Sequence, residues 1–219
     1  FRKREEWRTP RVITDRFKMQ SLWEAADDGN LEDVKRHILR GADIEELTPT
    51  DLDGPDGLFG PAGLGEGRTP LIVACNSGHL PVVKLLLEHK ANIEAKGNTE
   101  EQWTPLLWAV KRGCLSTVEL LLERKANIEA TALFGYSPLM FALSHLLEKD
   151  AFFYLTSQEL MRCLLEHNAN IETNPFVIMT LDDPYEAISI RTTPLGFASR
   201  YCRDIHLTAL KLLLEHNAN

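Results

Sequence analysis

No apolar run in the 219 residues approaches the roughly 20 needed to cross a bilayer as a helix. Cysteine is scarce. Cys75, Cys114, Cys163 and Cys202 stand far apart, without the paired spacing of a zinc site or a redox couple, and suit a reducing compartment. Basic residues are the minority, 24 Lys and Arg against 32 Asp and Glu, for a net charge of -8. That balance excludes a nucleic-acid phosphate backbone as the main partner, because such binding needs clustered cations. No Ser/His/Asp or Cys/His grouping recurs. The Gly-rich stretch 54–67 runs into Arg68-Thr69, where a phosphate loop has Lys followed by Ser or Thr, and no strand comes before it. No cofactor, no metal and no enzyme activity is expected.

What the chain does have is repetition. Gly41-Ala42-Asp43-Ile44 is followed by Ala91-Asn92-Ile93-Glu94, Ala126-Asn127-Ile128-Glu129, Ala169-Asn170-Ile171-Glu172 and Ala218-Asn219. Leucine runs lead into most of these phrases, as at Leu85-Leu86-Leu87 and Leu120-Leu121-Leu122. Ahead of each run stands Thr69-Pro70-Leu71, Thr104-Pro105-Leu106, Ser137-Pro138-Leu139 or Thr193-Pro194-Leu195. Self-similarity at a period of about 33 residues marks a stacked repeat architecture.

The local chemistry of one unit predicts two short helices. Thr69 can cap a helix, and Pro70 suits its first position, where no amide hydrogen is needed. Leu71, Ala74 and Cys75 fall on one face, and Gly78 stops the helix by adopting the left-handed conformation. Pro81 opens a second helix with Val83, Leu86 and Leu87 on one side. Thr104, Pro105, Gly113, Val118, Leu121 and Leu122 repeat the plan. So small a unit cannot bury its own apolar face and must stack on a neighbour.

The four phrases, each in phase with a leucine run and an Ala-Asn turn, resemble the ankyrin repeat family over residues 21–219. The resemblance implies an all-α solenoid of about five units, each a β-turn plus two antiparallel helices. Departures are visible. The family usually places His after Thr-Pro-Leu, and this chain has Ile72, Leu107, Met140 and Gly196. The family usually ends its second helix with Gly. Only Gly41 keeps that residue; Lys90, Lys125, Asn168 and Asn217 replace it, which predicts a local loss of stability. Some family members are hydroxylated on an Asn after the turn; here that slot holds Glu94, Glu129 and Glu172, so the modification is not expected.

The expected organisation is a basic arm, 1–20, followed by a repeat domain, 21–219, with units at 21–47, 67–98, 102–131, 135–172 and 191–219. Ser21 to Glu24 forms a capping-box pattern. The arm holds seven Lys and Arg against three Asp and Glu, so it carries +4 and the remainder -12. It can dock on an acidic partner, an acidic surface or its own repeats. Insertions fall at 48–66, 149–158 and 173–190. The first is rich in Gly and Pro and has no core of its own. The chain starts at Phe1 and stops within a repeat, which leaves room for a removed leader, an organellar destination, and further repeats or domains. The residues at hand point to the cytoplasm.

In the family, the turns and first helices line a concave groove that holds the partner. Carried onto this chain, the resemblance selects Arg68, Asn76 and Ser77, then Glu101, Trp103, Lys111 and Arg112. From the fourth and fifth units come Phe134, Tyr136, Ser144, His145, Thr192, Arg200 and Tyr201. Trp103 and Tyr136 precede capping residues in adjacent turns and should be neighbours. Aromatic residues and Arg are enriched at binding hot spots. The competing expectation is that the rings pack on adjacent turns. Phe152, Phe153 and Tyr154 in the 149–158 insertion form a second candidate surface, with helix lengthening as its alternative. The function expected is a non-catalytic protein-binding module, a structural subunit or scaffold of a larger assembly. Two alternatives stay open: a transient adaptor using the groove, and the recruiting or regulatory region of a longer enzyme or channel.

Overall fold

The computed structural model describes residues 20–48, 67–97, 102–132, 135–145, 151–172, 176–178, 190–201 and 207–217. The basic arm up to residue 19, most of the 48–66 insertion, Glu101 and Phe134 lie outside them.

Each unit forms its two helices for reasons visible in its own residues. In the first unit, α1 (Leu22–Asp27) starts on Ser21. The Ser21 hydroxyl accepts from the Glu24 amide, and the Glu24 carboxylate accepts from the Ser21 amide at 2.7 Å, so the capping box is complete. The second helix, α2, spans Leu31–Leu39. Unit two has α3 (Pro70–Ser77) and α4 (Leu80–Glu88), and unit three has α5 (Pro105–Lys111) and α6 (Leu115–Glu123). Thr69 and Thr104 accept from the amides of Ile72 and Leu107, as the sequence predicts. Unit four has α7 (Pro138–His145) and α8 (Ala151–Glu166), and the last unit α9 (Pro194–Tyr201) and α10 (Leu207–Asn217).

The helices stack in two rows. First helices pack in the order α1, α3, α5, α7, α9, and second helices in the order α2, α4, α6, α8, α10. A first helix inside the stack touches a neighbour on each side and its own partner behind. That is why α3 is buried from Pro70 through Cys75 rather than along one stripe. The residues in the family's His slot, Ile72, Leu107 and Met140, are fully buried. Here the slot contributes apolar packing, worth about 1.5–3 kcal/mol per side chain, in place of a turn hydrogen bond.

The second helices end as expected from the departures. Gly41, Lys90, Lys125 and Asn168 share the left-handed conformation, with φ of 79°, 68°, 65° and 65°. The recurrent Ala-Asn-Ile-Glu phrase has its own role. Ala91, Ala126 and Ala169 are buried. The Asn side chain accepts from the Glu amide two residues on, as in Asn92 with Glu94 and Asn127 with Glu129, both 3.0 Å. Each Glu carboxylate then crosses to the next unit. Glu45 accepts from the Asn92 amide at 2.8 Å, Glu94 from Asn127 at 2.6 Å and Glu129 from Asn170 at 2.8 Å. These bonds form a ladder that ties four successive turns.

Two insertions differ in kind. Residues 151–158 are the opening turns of α8, which has 16 residues where α4 and α6 have nine. The longer helix crosses the start of α6, where a methyl group on Gly113 would meet Thr156 at 3.2 Å. The 173–190 connection carries a two-stranded antiparallel ribbon, β1 (Phe176–Ile178) with β2 (Ile190–Thr192), pairing Val177 with Arg191. This ribbon is a small addition to a stack that is otherwise helical among the described residues. Thr48 closes the first insertion at its neck: its amide donates to the Arg68 carbonyl and its carbonyl accepts from the Gly67 amide.

Candidate functional site

The turns and first helices of units three and four bring four aromatic rings together. Trp103 in the third turn lies 4.7 Å from Trp108 on α5, and 4.8 Å from Phe141 on α7 in an edge-on contact. Tyr136 in the fourth turn stacks on the other side of Phe141 at 5.0 Å. Trp103 and Tyr136 are therefore linked through Phe141, close to the neighbourhood the spacing implies. Edge-on and offset contacts at these distances suit the ring quadrupoles.

Cations cap the pile. The Arg68 guanidinium lies 4.0 Å from the Trp108 ring centre. The Lys111 ammonium is 4.1 Å from Trp103 and 5.1 Å from Trp108. Such contacts contribute about 0.5–2 kcal/mol each, more where water is excluded. The rings themselves are largely covered, with Trp103, Trp108 and Phe141 retaining only 8, 6 and 8% of their exposure. They pack on adjacent turns, and the accessible parts are half-buried Lys111, half-buried Tyr136 and exposed Arg112. Burial pushes the Tyr136 hydroxyl above its usual pKa. Arg112 donates through Nε to the Asn76 carbonyl at 3.0 Å and so bridges units two and three.

Arg68, which caps Trp108, is itself buried, as is His145. Phe152, Phe153 and Tyr154 lie in the opening turns of α8, and Arg200 lies on α9; their side chains fall outside the described residues, as do Glu101 and Phe134. Trp108 and Phe141 were missing from the expected surface. Their signal was present: both occupy the second position after Thr-Pro-Leu or Ser-Pro-Leu, where unit two has Val73. Equivalent slots in neighbouring units must meet in a stack.

Burial raises the thiols of Cys75, Cys114 and Cys163, the last to about 11 with help from Glu119 and Glu166, so none is an activated thiolate. Among the described residues no group of three or more His, Cys, Asp or Glu could hold a metal ion, and no helix is long and apolar enough to cross a membrane. A cavity of about 340 Å³ opens between α6 and α8, on the second helices, lined by Leu115, Glu119, Glu159, Arg162 and Cys163 among others. It is separate from the aromatic pile.

A family model of ankyrin repeats, in three copies, matches residues 22–132, about half of the chain. No curated protein matches it.

Proposed function

The chain belongs to the ankyrin repeat family, and from that premise we propose that it is a non-catalytic subunit or scaffold of a larger protein assembly. Ankyrin repeats are generally protein–protein interaction modules. The observation that carries the proposal is the aromatic pile with its cations, which spans units two, three and four on the turn and first-helix face. Rings locked against each other hold Lys111 in a fixed position, so a partner contact there loses little side-chain entropy. The sequence carries additions to the repeat plan at 48–66, 149–158 and 173–190, beyond what a transient groove binder needs, which supports the permanent-assembly reading. Cys75, Cys114 and Cys163 are free thiols, which supports a reducing compartment such as the cytoplasm.

Native size-exclusion chromatography of a gentle extract, with mass-spectrometric identification of co-eluting chains, tests this reading. Elution in one stoichiometric high-mass peak is expected. Elution near the 24.8 kDa of the chain alone would turn the reading towards a transient adaptor. Covalent continuation into a catalytic or channel domain would assign the repeats to recruitment or regulation instead.

A further inference from the structure

We draw no further inference here: the strongest candidate, the cavity between α6 and α8 with Glu119, Glu123, Glu159 and Glu166 in its lining, is a cluster of acidic side chains on the second-helix face, and nothing among the described residues shows what occupies it.

Discussion

Lys90 and Lys125 stand at positive φ, where a Cβ crowds the following carbonyl at a cost of about 1–2 kcal/mol. Lys90→Gly and Lys125→Gly are therefore expected to raise stability by about 1 kcal/mol each, the gain being trimmed by glycine's greater freedom in the unfolded chain. Urea unfolding checks this, and a lowered midpoint would contradict it. The strain was legible in the sequence, because these lysines occupy the slot where unit one keeps Gly41. The thiols were less legible, because burial rather than spacing governs them. At pH 8 in the native protein, iodoacetamide is expected to leave Cys75 and Cys163 unmodified and to reach half-buried Cys114 slowly. Folding raises the Cys163 thiol from 9.0 to about 11, so the folded state favours its protonated form. That contribution to stability is fully present below pH 9 and is lost as pH rises through about 11. Thermal melts across this range should show the decline, and Cys163→Ala should reduce it.

At the scale of elements, the turns are held by more than apolar contact. Glu94→Ala removes a carboxylate that caps the Asn127 amide in the next unit. A loss of about 1 kcal/mol is expected, whereas Glu94→Gln, which keeps an acceptor, should lose less. Hydrogen exchange at the Asn127 amide reads the effect directly, and unchanged exchange in the Ala variant would remove the ladder from the list of stabilising contacts. The helices were legible because Thr-Pro-Leu, the leucine runs and the turn glycines all point to the same boundaries. The role of the Ala-Asn-Ile-Glu phrase was not. Recurrence shows that Glu94 matters, but its partner lies 33 residues away and appears only once neighbouring units are superposed. The ribbon of β1 and β2 was hidden for a similar reason. Strands of three residues, separated by eleven, give no alternation to read.

For the whole molecule, stacking converts a one-dimensional pattern into a surface. Trp103 and Tyr136 could be picked from their places before capping residues. Trp108 and Phe141 join them only because α5 and α7 are neighbours in the first-helix row. Mutual burial of the rings is a property of that packing, and it leaves Lys111, Arg112 and Tyr136 as the accessible parts of the pile. The second-helix side presents a different surface, with exposed Lys84 on α4 and exposed Glu119 on α6. Site-specific photo-crosslinking in the native source tests the central claim most directly, with the reactive side chain placed in turn at Arg112, Ser144, Lys84 and Glu119. The expected result is a discrete adduct with the same partner chain from Arg112 and Ser144, and none from Lys84 or Glu119. Adducts from Lys84 and Glu119 alone would place the partner on the second helices and contradict the binding face derived from the aromatic pile.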